Sequence, residues 1–307
     1  MNMNKIISIR DAFGKALANE GKKNKKILAI SIDLKGACKL SYFFKDFPNR
    51  SFEVGIAEAN AIGIATGLSF DGFRPFVASF GSFLTGKNTE IRNSICYNNA
   101  SVVVVGTHCG LIGSDGATQS ALQDLSIMRS MPYFEVFQPC TPLDTKEIIK
   151  YVCKSKKPTY LRIARNEIPE FLNKNYKFKI GIPNEIIKGK KKLIISSGAM
   201  VYNCLRAIKE LKKSNYGLLN ISSIKPLNIK SLINKLKNYN KVITVEDHSV
   251  EGGLGSIISE VIAENDLNIK LKNHGLKNGF IDSDVPDNLE KKYSMDVKSL
   301  KKIFLNF

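Results

Sequence analysis

The sequence predicts an α/β protein of two domains, each a mainly parallel sheet with helices on both faces. Three observations point there. Short β-branched runs, apolar on both faces, alternate with segments of helical spacing along the whole chain. Such runs are the mark of strands buried on both sides and joined by crossover helices. The alternation breaks once, in the charged, Pro/Gly-punctuated stretch NEIPEFLNKNYKFKIGIPNEIIKGKKK, and then restarts. The 307 residues leave room for two cores, at the usual ~100 to 200 residues per domain.

In chain order, MNMNKIISIRDAFGKAL has helical spacing without the apolar core of a signal sequence. Strands are then expected at KILAISID, SFEVGI, RPFVAS, SVVVVGT, YFEVFQP and PTYLRIA, with helices at ANAIGIATGLSF and TPLDTKEIIKYVCK between them. After the break come strands KLIISSG, YGLLNISS and KVITVED, and helices VYNCLRAIKELKK and GSIISEVIAEN. The expected limits are 1–170 for the first domain, 171–190 for a linker and 191–307 for the second domain.

The net charge of +18 comes from Lys scattered along the chain, in GKKNKK, KSKK and KGKKK. Without interleaved aromatics or a recognition helix this argues only weakly for nucleic acid and more for a solvated basic surface, so no nucleic-acid partner is expected, leaving a polyanionic partner or a phosphorylated substrate open. Cys38, Cys96, Cys109, Cys140, Cys153 and Cys204 form no CxxC pair and have no His at ligand spacing, so neither a metal site nor a disulfide framework is indicated. No apolar run reaches the ~18 residues of a membrane span. The sequence reads as that of a cytoplasmic protein with reduced thiols and no membrane partner.

In open α/β sheets ligands lie outside the carboxyl ends of the strands. The residues just after each expected strand are Asp33, Glu58, Ser79 with Phe80, His108 through Gln119, and Arg162 with Arg165. Each has a plain alternative. Glu58 suits the first turn of a helix, where the dipole favours an acid. Phe80 and Phe83 suit a core. His108 suits acid/base work, anion binding or a structural bond. Arg162 and Arg165 stand three apart, so they point to opposite faces or bracket a strand end, and one of them suits an ion pair. The loop GSDGATQS lacks the Lys-Ser/Thr ending of a P-loop. EDHSVEGGLGS reads either as an anion-binding helix start or as a close-packed turn, and His248 and His274 as structural.

FEVGIAEANAIGIATGLSFDGFRPFVASFGSF, VVGTHCGLIGSDGATQSALQDLSIMRSMP, PTYLRIAR, SIKPLN, TVEDHSVEGGLGS and VPDNLEKKYSMDVKSL together resemble, in order, the C-terminal half of transketolase, and above all the separate C-terminal subunit of split transketolases. The resemblance implies a pyrimidine-binding domain followed by the family's small C-terminal domain. It also implies a thiamine diphosphate site shared between two chains, Mg²⁺ and the diphosphate being held through a GDG motif and a later Asn. This chain contains no GDG. The diphosphate half is therefore expected on a partner, the N-terminal subunit, in an α₂β₂ assembly.

By the same resemblance Glu58 matches the acid whose hydrogen bond to the aminopyrimidine favours the imino tautomer that activates the cofactor. Phe80 and Phe83 match the aromatics packed on that ring, and Asp33 is counted with the cofactor-binding residues. His108, Asp115, Gln119, Arg165 and Arg162 are counted as substrate-binding, the guanidinium being suited to phosphate and the carboxylate to a hydroxyl. Gln119, Ala59, Ala37 and Gly86 depart from the family pattern, in place of two His, a phosphate-contacting Ser and a third aromatic. Gln can hydrogen-bond but cannot carry charge. The activity implied is transfer of a two-carbon ketol unit from a ketose or its phosphate to an aldehyde. A specialised sugar transferase with another substrate and a non-catalytic scaffold are the alternatives, and the β subunit of an oxo acid dehydrogenase fits less well.

Overall fold

The structure, a computed structural model, describes residues 6–211 and 215–307. The first five residues of the expected N-terminal helix and the last two of VYNCLRAIKELKK lie outside the described residues. The first domain runs β1 (Ile6–Ser8), α1 (Ile9–Lys23), β2 (Ile27–Ser31), α2 (Ser41–Asp46), β3 (Ser51–Glu53), α3 (Glu58–Phe70), β4 (Arg74–Phe80), α4 (Gly81–Thr85) and α5 (Asn88–Glu90). It continues through a π-helical turn to β5 (Val103–Cys109), α6 (Asp124–Ser130), β6 (Glu135–Phe137), α7 (Pro142–Val152), β7 (Thr159–Ala164) and β8 (Glu167–Pro169). The second contains β9 (Asn184–Ile187), β10 (Lys192–Ser196), α8 (Met200–Glu210), β11 (Tyr216–Asn220), β12 (Ser223–Lys225), α9 (Ile229–Leu236), β13 (Lys241–Ser249), α10 (Leu254–Glu264), β14 (Lys270–Leu276), α11 (Pro286–Lys292) and α12 (Val297–Leu305).

The first sheet has seven strands in the order β12-β6-β7-β5-β4-β2-β3, all parallel but for β12. Its centre is the valine run of β5. Val103 and Val105 pack into the layer under α1 and α7, Val104 into the layer under α3 and α6, as the two-residue period of a strand requires. Helix α1 buries Ile9, Phe13 and Leu17, one helical stripe, and packs against α7. The second sheet, β14-β13-β10-β11-β9, is parallel but for β9. Thus β9 falls inside the stretch expected to be linker. Its run NEII is too short and too polar to stand out beside the charged residues around it.

The domains are tied through their backbones. Strand β12, from the second half of the chain, pairs antiparallel with β6 of the first sheet, and the Ser249 N–H donates to the Leu122 carbonyl at 2.8 Å. All six cysteines are buried free thiols. No described helix is long and apolar enough to cross a membrane.

Candidate active site

After β2 the chain steps outward to β3, then returns past β2 to β4 on its other side. The crossovers diverge at the carboxyl ends of β2 and β4, opening the crevice that such sheets use for ligands. The hydroxyls of Ser31 and Ser79, on these two strands, are buried without a hydrogen-bond partner. Asp33 follows β2 with φ +57°, its side chain exposed and its N–H held by Glu53 of β3 at 2.6 Å. Glu58 opens α3, half-buried, with no side-chain hydrogen bond among the described residues. Across the crevice Phe80 ends β4 and stacks on Phe83, with ring centroids 5.3 Å apart and planes 19° from parallel. Half-buried aromatic rings and a carboxylate at one strand-end crevice suit a flat ring bearing hydrogen-bonding groups.

His108 ends β5 beside Phe80, the two rings 3.8 Å apart between centroids. It sits at φ +55°, a left-handed conformation that costs a non-glycine residue about 1–3 kcal/mol and collects at functional sites. Its Nδ1 meets the Thr107 hydroxyl at 3.0 Å and its Nε2 meets Arg10 Nη1 at 3.1 Å. Burial first, then Arg10 and Arg165, push its pKa down to about 3. A neutral ring that only accepts from Arg10 does not serve as an acid or base near neutrality, which leaves positioning and hydrogen bonding. NMR titration is expected to show the His108 ring neutral from pH 5 to 8; a midpoint near 6.5 would overturn this. Because the folded pKa lies below the unfolded one, His108 contributes stability above pH ~6.5 that is lost as pH falls toward about 3.

The loop after β5 closes on itself, with the Gly110 N–H on the Ala121 carbonyl at 3.0 Å. Gly110 takes φ +84°, and a Cβ there would fall 2.1 Å from the Asp247 carboxylate. Asp115 forms an ion pair with Arg165, which stands just beyond β7 and also donates to the Ile112 carbonyl at 3.3 Å. The Gln119 carbonyl accepts from Ser82 at 2.9 Å, anchoring this residue beside the aromatic pair, while its side-chain oxygen accepts from Thr118. The structure thus brings Phe80, Phe83, His108, Asp115, Arg165 and Gln119 to the carboxyl ends of neighbouring strands and the loops that follow them, with Asp33 and Glu58 toward the β3 edge.

Sequence reasoning missed Arg10. It lies 98 residues from His108, near the start of α1, where no local pattern marks it. It bonds the Ala37 carbonyl at 2.8 Å, and its Nε is buried without a partner.

Arg162 is a correction. It is 1% exposed and held by Asp124 at 2.9 Å, by the Asp247 side chain at 2.7 Å and by the carbonyls of Ala121 and Asp247. With its guanidinium wholly engaged inside the protein, Arg162 does not bind substrate; it joins the two domains. EDHSVEGGLGS is a packed turn and not an anion site, because Glu246 itself accepts from the N–H groups of Leu254 and Gly255 at the start of α10, at 2.7 and 2.8 Å. His248 is fully buried, and His274 Nε2 lies 2.9 Å from the Ser294 carbonyl. No cluster of three or more His, Cys, Asp or Glu able to hold a metal occurs among the described residues.

Residues 5–170 match the model of the transketolase pyrimidine-binding domain, and residues 184–300 that of the transketolase C-terminal domain. The chain belongs to the transketolase family. It is 36% identical over 301 residues to a transketolase C-terminal section of Methanocaldococcus jannaschii, covering 96% of this chain and 94% of that one. It is 34% identical to the 1-deoxy-D-xylulose-5-phosphate synthase of Halothermothrix orenii over 94% of this chain, but spans only 46% of that enzyme. Among solved structures, a split-gene transketolase described as an inactive β₄ tetramer superposes with a TM-score of 0.88, at 35% identity and 96% coverage of both chains.

Proposed function

We propose that the chain is the pyrimidine-domain subunit of a two-component, thiamine diphosphate-dependent transketolase that moves a two-carbon ketol unit from a ketose or ketose phosphate to an aldehyde. The observation that carries this reading is that the Phe80–Phe83 stack, His108 against Phe80 and the Asp115–Arg165 pair all lie at the carboxyl ends of neighbouring strands, with Glu58 at the start of α3. The split-gene neighbour supports a partner subunit, and the synthase's phosphorylated product supports sugar-phosphate chemistry.

When bound, thiamine diphosphate supplies the nucleophile and electron sink for breaking and making the carbon–carbon bond. In this chain Phe80 and Phe83 would pack on its pyrimidine, and Glu58 would exchange a hydrogen-bonded proton with the ring. The orphaned Ser31 and Ser79 hydroxyls fit such a polar ring, and Asp33 stands at the same crevice mouth. Arg165 and Arg10 would hold a substrate anion and Asp115 a substrate hydroxyl, while neutral His108 would keep Arg10 in place by accepting from it. Mg²⁺ and the diphosphate would be held by the partner, which is expected to carry the GDG motif that this sequence lacks. Gln119, able to bond a hydroxyl or carbonyl but not to carry charge, favours a substrate other than the ordinary pentose phosphates. The deciding experiment mixes the chain with the partner subunit, thiamine diphosphate and Mg²⁺ and assays ketol transfer; a fully assembled, cofactor-bound pair without transfer would leave the scaffold reading.

The partner would sit against α3. That helix buries Ala61, Ile62, Ala65 and Ser69, yet its outer side carries exposed Gly63 and Gly67, with Ile56 83% and Phe70 64% exposed at its two ends. A Cβ at Gly67 would meet nothing within 4 Å. Gly67→Leu is therefore expected to leave the isolated chain as stable or ~0.5–1 kcal/mol more so. It should weaken assembly with the partner by about 1–3 kcal/mol through overpacking. Sedimentation of the mixed subunits checks this; assembly unchanged from wild type would move the interface elsewhere.

A further inference from the structure

Thr107 and His108 are neighbours on β5, yet their side chains bond each other, His108 Nδ1 lying 3.0 Å from Thr107 Oγ1. In a regular strand successive side chains point to opposite faces and cannot meet. Two irregularities bring these together. The pairing of β5 with β7 shifts register between Thr107 and Cys109, and His108 takes φ +55°. A bulge of this kind re-aims a side chain, and here it turns the imidazole back onto the hydroxyl before it.

The contact is the middle link of a chain of three hydrogen bonds whose direction is fixed at both ends. At one end Arg10 Nη1 lies 3.1 Å from His108 Nε2, and a guanidinium can only donate. At the other the Thr107 hydroxyl lies 3.2 Å from the Ser79 carbonyl, which can only accept. A neutral ring between them has one N–H and one lone pair to place. The lone pair falls to Nε2 and the proton to Nδ1, because the bond made at one ring nitrogen sets the state of the other. Thr107 Oγ1 then gives its single proton to Ser79 and accepts from Nδ1–H. Its second lone pair faces the Cys38 thiol at 3.3 Å, which burial pushes up to about 11, so that the thiol keeps its proton. Ala37, next to Cys38, accepts from the same Arg10 Nη1 at 2.8 Å, so both protons of that nitrogen are engaged and the guanidinium plane is held. Cys38, Ser79 and Thr107 are fully buried and His108 is 3% exposed, which shuts solvent out of the choice of tautomer.

We propose that Thr107 is a positioning residue: its hydroxyl selects the Nδ1–H tautomer of His108, and the lone pair this leaves on Nε2 seats the Arg10 guanidinium. The opposite tautomer would set an Nε2–H against an Arg10 N–H and release the guanidinium from the strand end. The place of this device in a reaction rests on the ketol-transfer reading; the tautomer itself does not.

The test is a proton–nitrogen correlation spectrum, at neutral pH, of the purified full chain isotope-labelled at its three histidines, His108, His248 and His274, with the His108 signals assigned by their loss in His108→Gln. Wild type and Thr107→Ser are expected to show the Nδ1–H tautomer, and so is Arg10→Met, where the hydroxyl alone is left to choose. Thr107→Val, which removes the hydroxyl, is expected to lose the Nδ1–H pattern for that of Nε2–H, while unmoved His248 and His274 signals report an intact fold. An Nε2–H ring in wild type would overturn the proposal whatever the variants do. So would an Nδ1–H ring kept by Thr107→Val, or an Nε2–H ring in Arg10→Met. In the reconstituted pair Thr107→Val should raise KM for a ketose phosphate about tenfold, the worth of one charge-assisted bond, with kcat near wild type, and Thr107→Ser should restore it. KM unmoved while the ring switches would overturn the seating of Arg10. A Thr107-dependent tautomer in a pair without transfer would remove only the proposed reaction; transfer by a wild-type pair with an Nε2–H ring would remove only the role of Thr107.

Discussion

Glu58→Gln is expected to lower ketol transfer by the reconstituted pair about 10²- to 10⁴-fold, the usual worth of a positioned acid/base group. Glutamine keeps the shape and can still hydrogen-bond, but it cannot exchange a proton at neutral pH. The fold should barely notice. Glu58 is half-buried at the first turn of α3 and makes no side-chain hydrogen bond among the described residues. Removing its charge from the helix start costs only ~0.3–1 kcal/mol. KM for the sugars should stay near wild type, since the substrate is assigned to Arg10, Asp115 and Arg165. Steady-state kinetics beside thermal unfolding separates the effects, and a Glu58→Gln pair retaining full kcat would refute the role given to this acid.

The second large effect is on stability. Arg162→Ala is expected to destabilise the chain by about 3–5 kcal/mol, because it leaves the Asp124 and Asp247 carboxylates buried and unpaired. Burial opposes the Arg162 charge, but the two carboxylates overcome it and hold its pKa well above the ordinary value. The Tyr160 hydroxyl donates to Asp124 at 2.9 Å, so the lost pair also disturbs a neutral partner. Urea denaturation should show the loss directly, and a change below ~1 kcal/mol would mean that water or neighbouring groups replace the guanidinium. The measurement also separates the structural role from substrate binding, which would raise KM without moving the denaturation midpoint.

That residue shows where sequence reading stops. Arg162 and Arg165 look alike in PTYLRIAR, and strand periodicity tells that they differ in surroundings without telling which one is paired. The answer lies in Asp124 and Asp247, 38 and 85 residues away, and in the last turn of β7, which leaves Arg165 just outside the sheet. Central strands such as Val103–Cys109 were legible because both of their faces are apolar. Edge strands β1, β3, β8, β9 and β12, of three or four residues each, carry too few side chains to show a period. Polar β14 hides for a different reason, since its run KLKNHGL lies mostly outside the core. The placing of Phe80, His108 and Asp115 followed from one rule about strand ends, whereas Arg10 became visible only when α1 was set beside β5.

Strand β12 has a consequence for how the chain comes into being. The first sheet has an open edge at β6 until residues 223–225 arrive to pair with it, and Arg162 has only one of its two carboxylates until Asp247 does. During synthesis from the N-terminus, the first domain can therefore collapse but cannot finish. For the time needed to make some eighty further residues, at ~5–20 residues per second, it carries an unpaired strand edge and a guanidinium whose Nη1 has no carboxylate to bond. Completion of the first domain is set by the emergence of the second.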